Sequence, residues 1–580
     1  MHCTKRGKLA VLSIGVLVAM ILVCYFYLIQ KSRFRFAVSG SKLLEYNQAA
    51  ITSDSSMCSQ LGMSILREKN GSTIDSVIVT LVCMALDQPM STGIGGSLIM
   101  NIYDSKSQKN VIIDASGKSP HHVASLKNMS HLKGPSSVTV PGQLYGLWQA
   151  HQMYGSLPWK HLFAPVIHLA TQGFNVSRLL ANTLKEMESE VKDQPLLREL
   201  YVNEATRHVY QEGDLMKHPR LAKSLKIISE EGFLAVYNGS LSNAIVEDLR
   251  DAGEGSLMSL SDLTSYNVKF PAPLRTRLSN GDQVMATPPP SSGPIVQLIL
   301  NVLDLYEFKP NYRTNLNMFA TTLHRIIETF KFAYGIRSRL EEPGFDEDVT
   351  QFLVNLTSTE WATGIKSQID DHSTYESGYY NPGTLNEEGL GTTHLNCIGL
   401  DGIAVSVTSS LNHRFGAQIL GRRTGILFNN GMAAFSTPSR HNRSASINQP
   451  LPNLIGANKS PMSYVSPIIM TDNTGNTKLV IGASGGTKII SSLSYVMNNL
   501  VWFNDTIKEA IDALRVHNQI IPAQTNTEDY LPKKVIEKLK KFGHDITSYG
   551  SLSFVHGIYQ KNGTFSVNID YRSGAIPAGF

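Results

Sequence analysis

Apolar residues run without a single charge from Leu9 to Ile29. About 21 residues at 1.5 Å each cover roughly the 30 Å hydrocarbon layer of a bilayer, which predicts a transmembrane helix over 9–29. A cleaved leader competes with this reading, but leaders carry apolar stretches of only about 7 to 15 residues before a small, neutral cleavage region. Here Lys31, Arg33 and Arg35 follow instead. The expected layout is a cytoplasmic tail over 1–8, the span 9–29, a basic stalk over 30–52, and a folded body beyond. Charge does not orient the span, because Lys5, Arg6 and Lys8 on one flank balance the three cations on the other.

Further on, the pattern changes period. The stretch from Cys58 to Cys83 predicts a helix followed by a second, strongly apolar one over Ile74 to Leu86, broken by Ser91-Thr-Gly-Ile-Gly-Gly96 before a strand over Ser97 to Tyr103. Helical spacing dominates from Gly142 to Asp251 and again from Gly293 to Ala333, with Pro288-Pro-Pro-Ser-Ser-Gly293 between them. The last third alternates turns and apolar runs. His394 to Leu400, Asp401-Gly402 and Ile403 to Thr408 predict a hairpin, as do Val465 to Thr471, a turn through Asn476, and Lys478 to Ile481. Thr487 to Val501 then predicts a helix. Helix, strand, strand, helix suggests antiparallel sheets held between helical layers.

Composition narrows the function classes. In 580 residues, 42% are hydrophobic and 17% charged, enough to bury a large core. The net charge of +5 is small for the length and no run of Lys and Arg tracks a phosphate backbone, so no nucleic-acid partner is expected. Sequons at Asn70, Asn128, Asn175, Asn238, Asn355, Asn442, Asn458, Asn504 and Asn562 are candidate glycan acceptors. Cys3 and Cys24 fall in the tail and span, leaving Cys58, Cys83 and Cys397 outside. That odd count allows one disulfide and one spare thiol. Neither Cys-x-x-Cys nor His-Glu-x-x-His occurs, so no metal and no cofactor is expected.

Candidate chemistry begins at Gly482-Ala-Ser-Gly-Gly486, where a predicted strand turns into a helix. Glycines let backbone approach a ligand closely, and helix N-termini offer unpaired N–H donors to an anion. A phosphate loop would need Gly-Lys-Ser/Thr, and the order here is Thr487-Lys488.

Cys58 and Cys83, Ser91–Gly96, Val140-Pro-Gly142, Pro288–Gly293, Gly391-Thr-Thr-His-Leu395, Gly425-Ile-Leu-Phe-Asn-Asn430, Gly482–Gly486, His517-Asn-Gln519 and Pro577-Ala-Gly-Phe580 occur in an order that resembles the γ-glutamyltransferase (glutathione hydrolase) family, from about Ser53 to the C-terminus. The resemblance implies a four-layer αββα sandwich of the N-terminal nucleophile hydrolase type. It implies a chain that cuts itself before Thr392, giving a heavy part (53–391) and a light part (392–580) that stay associated. Thr392 would be nucleophile and, through its new α-amine, base. Gly485 and Gly486 match oxyanion-hole glycines, and Ser410 a hydroxyl beside the nucleophile. Asn412 and Ser463 match positions near the acyl group. The resemblance also implies a Cys58–Cys83 disulfide with Cys397 free and buried, and a single-pass type II protein of the plasma membrane facing small γ-glutamyl or other amide substrates outside the cell.

The chain departs from the family pattern at the clamp for the glutamyl α-carboxylate and α-ammonium. An Arg is replaced in Asp114-Ala-Ser-Gly117 by Ser116, two acids are replaced by Gly431 and Ala434, and one of two paired serines by Tyr464. Losing one partner of a buried charge pair costs about 2 to 5 kcal/mol, so losing both ends implies roughly three to seven decades in binding or rate. Lys118, Arg414, Arg422 and Arg423 are candidate replacement cations. Asp114 and Asp401 are the acids at hand, the latter expected to be solvated in its turn. Three readings follow: a glutathione hydrolase or γ-glutamyltransferase, an amidohydrolase for another acyl group, or a non-catalytic ectoprotein.

Overall fold

The computed structural model describes residues 39–125, 134–344, 348–383, 389–436 and 452–580. The expected tail and span (1–29), Asn128 and Asn442 lie outside the described residues. Among the described residues, no helix is long and apolar enough to cross a membrane.

Two antiparallel sheets form the centre. Their strands are β1 (Leu44–Tyr46), β2 (Ala50–Ser53), β3 (Ser97–Asp104), β4 (Lys109–Ala115), β5 (Leu274–Arg277), β6 (Gln283–Ala286), β7 (Gly391–Ile398), β8 (Ile403–Asn412), β9 (Ile468–Thr471), β10 (Thr477–Ser484), β11 (Phe554–Lys561), β12 (Thr564–Ile569) and β13 (Ala578–Gly579). One sheet has the order β13-β2-β7-β8-β3-β4 and the other β1-β12-β11-β10-β9-β6-β5. Residues 44–46 thus pair in the second sheet and 50–53 in the first, so the folded body begins inside the segment read as stalk. The hairpin of β11 and β12 went unread in the sequence.

A small apolar cluster that includes Ala50, Met285, Ala404, Val480 and Val567 lies between the sheets. Two larger clusters cover the outer faces. One joins α1 (Ser56–Lys69), α2 (Thr73–Asp87) and α3 (Gln143–Tyr154) to the first sheet; the other joins α4 (Gly293–Asp304), α5 (Leu316–Arg337) and α6 (Ile489–Val501) to the second. The layers are therefore helix, sheet, sheet, helix, as the hairpin and helix pattern predicts.

Local chemistry explains how the first helices start. Ser55 caps α1 by accepting from the Cys58 backbone N–H at 3.2 Å. Ser72 and Asp75 form a reciprocal capping box at the start of α2, every residue of which is buried. The two helices pack together and are joined by the Cys58–Cys83 disulfide. Cys397 is free and buried in β7, where burial pushes its thiol pKa up. Asp401 is not a solvated turn residue: it accepts from the Thr73 backbone N–H at 2.9 Å and from Thr73 Oγ1, and so holds the start of α2 against the β7–β8 turn.

Candidate active site

β7 and β8 are central in their sheet and buried on nearly every position, which is why neither shows a clean alternation. Thr392 is paired with Ser410 across this ladder. The register then shifts between Ser410 and Asn412, so that Asn412 comes to face Gly391. A bulge at this place re-aims side chains at the strand end. Asn412 adopts φ of 74°, a left-handed conformation that Asn tolerates better than most residues.

The hydroxyls converge. Thr392 Oγ1 lies 3.0 Å from Ser410 Oγ. Ser410 Oγ donates to the Gly391 carbonyl at 2.8 Å and accepts from the Asn412 backbone N–H at 2.8 Å. With the Ser410 proton on the Gly391 oxygen, Thr392 is the donor of the remaining contact. Behind the pair, Thr393 Oγ1 donates to Asp54 at 2.6 Å, and His556 Nε2 is 2.7 Å from the other Asp54 oxygen.

β10 ends at Ser484, and the chain turns through Gly485 and Gly486 with φ of 126° and 62°. L side chains rarely adopt either value, and a Cβ on Gly486 would come within 2.6 Å of the Gly389 carbonyl oxygen. The segment leading to Gly391 therefore lies against this loop.

One pocket, about 680 Å3 of empty space with its open mouth included, joins these elements. Thr392, Ser410, Asn412, Ser463, Tyr464, Ser116, Gly431, Ala434 and Gly486 all line it, and Gly485 is adjacent in the same turn. The structure thus brings together residues from both parts of the chain. Sequence reading missed Thr139 and Asn429, which also line the pocket; each borders or lies in a glycine-containing motif, Val140-Pro-Gly142 and Gly425–Asn430. Asp54 had no local signal at all.

The candidate replacement cations are engaged elsewhere or face outward. Arg414 pairs with Glu186 at 2.5 Å, and Arg423 with Asp251 at 2.7 Å. Arg422 is exposed. Lys118 sits 5.2 Å from the Tyr266 ring centre, and burial pushes its pKa down. None of the four lines the pocket. Asp114 is buried, which raises its pKa, and it accepts from Ser116 Oγ at 2.5 Å.

The four-layer αββα sandwich, with Thr392 near the start of a central strand beside the Gly485-Gly486 turn, is the arrangement that the family resemblance implies. Residues 58–580 match the sequence profile of the family described as Gamma-glutamyltranspeptidase, and the chain belongs to that family. It is similar to Scoloptoxin SSD14 of Scolopendra dehaani, with 34% identity over 92% of each chain. It is 32% identical to Glutathione hydrolase 5 proenzyme of Rattus norvegicus, over 81% of this chain and 82% of that one. Among solved structures, cephalosporin acylase from Bacillus halodurans shares the fold with a TM-score of 0.80 and 23% identity, over 94% of this chain and 98% of that one.

Proposed function

We propose that the chain is a self-processing amidohydrolase and acyltransferase of the γ-glutamyltranspeptidase family that uses Thr392 as nucleophile. The contact of Thr392 Oγ1 with Ser410 Oγ at 3.0 Å carries the reading, because Ser410 also reaches the Gly391 carbonyl of the bond to be cut. Thr392 Oγ1 adds to the Gly391 carbonyl carbon, passes its proton to Ser410 Oγ, and Ser410 hands its own proton to the Gly391 oxygen. Collapse moves that proton to the leaving nitrogen, breaks the C–N bond and leaves an ester. Water then hydrolyses the ester, releasing the Gly391 carboxylate and a free Thr392 α-amine. That amine, with a pKa of about 8, takes the hydroxyl proton when Thr392 attacks an amide substrate, and the Gly485 and Gly486 N–H groups hold the oxyanion. Water or an amine then removes the acyl group.

The heavy part (53–391) and light part (392–580) would stay together after cleavage. β7 and β8 lie between β2 and β3 in one sheet, and β9 lies beside β6 in the other, so separation would break both sheets.

Anchoring by 9–29 with the body outside the cell completes the reading, as a single-pass type II protein of the plasma membrane. All seven described sequon asparagines (Asn70, Asn175, Asn238, Asn355, Asn458, Asn504 and Asn562) are exposed, as glycan acceptors must be.

γ-Glutamyl amides such as glutathione are the first substrates to test. A second reading, hydrolysis of a different acyl amide, is favoured by Ser116, Gly431 and Ala434 lining the pocket where a clamp would need charge. Purified protein should run as two chains under denaturing conditions, and Thr392→Ala as one. A wild-type protein that stays whole would sink both enzymatic readings.

A further inference from the structure

Among the described residues, the pocket beside Thr392 is lined by no Asp, Glu, Lys, Arg or His. Its walls are hydroxyls and amides (Ser116, Thr139, Asn429) and apolar groups (Ala434, Met462, Tyr464). A γ-glutamyl group would bring an ammonium and a carboxylate into that space with no counter-charge among the described residues of its wall, and an unpaired buried charge is among the costliest things a site can hold.

The missing charges are not simple deletions, because the space has been refilled. A Cβ on Gly431 would come within 2.7 Å of Thr139 Oγ1 and 2.9 Å of Thr139 Cγ2, and a Cβ on Gly117 within 2.1 Å of the same Oγ1. Thr139 is fixed there, its backbone N–H and its hydroxyl both donating to Asn429 Oδ1 at 3.1 and 2.7 Å. Asn429 Nδ2 in turn donates to Gly95 O at 2.8 Å. An acidic side chain at 431 and any side chain at 117 are therefore excluded by one packed threonine.

Another lining residue, Tyr464, has a cation behind it. The Arg337 guanidinium is buried and stacks 3.4 Å from the Tyr464 ring centre, with its Nε donating to Ser292 Oγ at 3.0 Å. Ser292 Oγ donates to the Ser463 carbonyl. Tyr464, not the cation, is what the pocket presents.

We propose that the pocket takes an uncharged, short acyl chain, so that the preferred substrates are amides of simple carboxylic acids without the α-ammonium and α-carboxylate of glutamate. This rests on Thr392 acting as the nucleophile. The acyl carbonyl is presented to Thr392 and Gly486 as before, while the chain end packs on Ala434, Met462 and Tyr464. The reaction keeps the same balance: the amide C–N bond breaks, the ester to Thr392 forms, the amine leaves with a proton, and water releases the free acid.

Four anilides test the proposal on the processed protein: γ-glutamyl (both charges), glutaryl (carboxylate alone), 4-aminobutyryl (ammonium alone) and butyryl (neither). The butyryl compound should have the highest kcat/KM, exceeding the γ-glutamyl compound ~30-fold or more, the low end of what an unpaired buried charge forfeits. The proposal is overturned if γ-glutamyl equals or beats butyryl, if glutaryl or 4-aminobutyryl beats butyryl, or if a chain that has split hydrolyses none of the four. A chain that never splits instead brings down the enzymatic reading itself. A four-site variant, Thr139→Ala with Ser116→Arg, Gly431→Glu and Ala434→Asp, should reverse the preference towards γ-glutamyl. Retention of the butyryl preference in a folded four-site variant would also count against the proposal, and the anilide series on the unaltered protein decides the matter if that variant fails to fold.

Discussion

Thr392 and Ser410 face each other across the β7–β8 ladder, with their hydroxyl oxygens 3.0 Å apart and the Gly391 carbonyl hydrogen-bonded to Ser410. The bond proposed for cleavage thus has its carbonyl hydrogen-bonded by the same hydroxyl that the proposed mechanism uses to take the Thr392 proton. Ser410→Ala removes both services while leaving the strand pairing intact. Self-cleavage should slow by about 10²- to 10³-fold, the usual cost of losing one donor to a developing oxyanion. The rate at which the intact chain disappears on a denaturing gel measures it, and cleavage at the wild-type rate would remove Ser410 from the mechanism.

Thr139 and Gly431 should behave as a coupled pair. Gly431→Ala forces a Cβ against Thr139 and should cost about 1 to 3 kcal/mol of stability, as overpacking does. In a Thr139→Ala background the same change should cost much less. Urea unfolding of the two single variants and the double variant gives the coupling, and strict additivity would mean that the two side chains do not compete for space.

The C-terminal part carries a buried ion cluster with a pH signature. Burial pushes the Asp570 carboxyl up, but the Arg515 and Arg572 guanidiniums outweigh it and hold its pKa below the usual carboxylate value. Arg515 Nη2 contacts one Asp570 oxygen and Arg572 Nη1 the other at 2.9 Å. A depressed carboxylate stabilises the fold above its unfolded pKa, about 3.9, and loses that contribution as pH falls through the lower folded value. Asp570→Asn should therefore cost about 3 to 5 kcal/mol at neutral pH, because it takes from the buried Arg515 its carboxylate partner while Arg572 keeps Glu528. The gap in Tm between wild type and variant should narrow below about pH 4. A gap that stays constant with pH would refute the assignment.

Cys58 and Cys83 close a loop with a sequence separation of 25, worth about 3.5 kcal/mol on loop-entropy grounds. Cys58→Ser with Cys83→Ser should lower Tm measurably without changing the cleavage site. Cys397 should not react with a thiol reagent until the protein is unfolded, since it is fully buried and its thiol is held protonated. Rapid labelling of native protein at Cys397 would contradict that environment.

Much of the architecture was legible because it depends on short-range patterns. The apolar period marked α2 and α6, the Asp401-Gly402 turn marked the β7–β8 hairpin, and glycine punctuation marked the turn after β10. The edges were harder: β1, β2 and β13 are only two to four residues long and exist because distant strands pair with them. Their sequence carries no signal that a partner is waiting.

For the site, the order of motifs that resembles the family was enough to single out Thr392, Ser410 and the Gly485-Gly486 turn as candidates, and to mark Ser116, Gly431 and Ala434 as departures from the family pattern. Packing decided the rest. Thr139 and Asn429, which are 290 positions apart, meet only in the folded chain. Gly482 reads as part of a ligand-binding glycine turn, yet a Cβ there would lie 2.0 Å from the His394 ring, so its place is set by that histidine crossing between the sheets. The sequence alone determined the longer helices and the two hairpins through local spacing, and its resemblance to the family pointed to Thr392 as the candidate nucleophile and to Ser116, Gly431 and Ala434 as departures from the family pattern. Which of the candidate cations line the pocket, and that Thr139 occupies the space beside Gly117 and Gly431, were decided by the tertiary structure, since close packing lets one threonine exclude side chains from two separate segments.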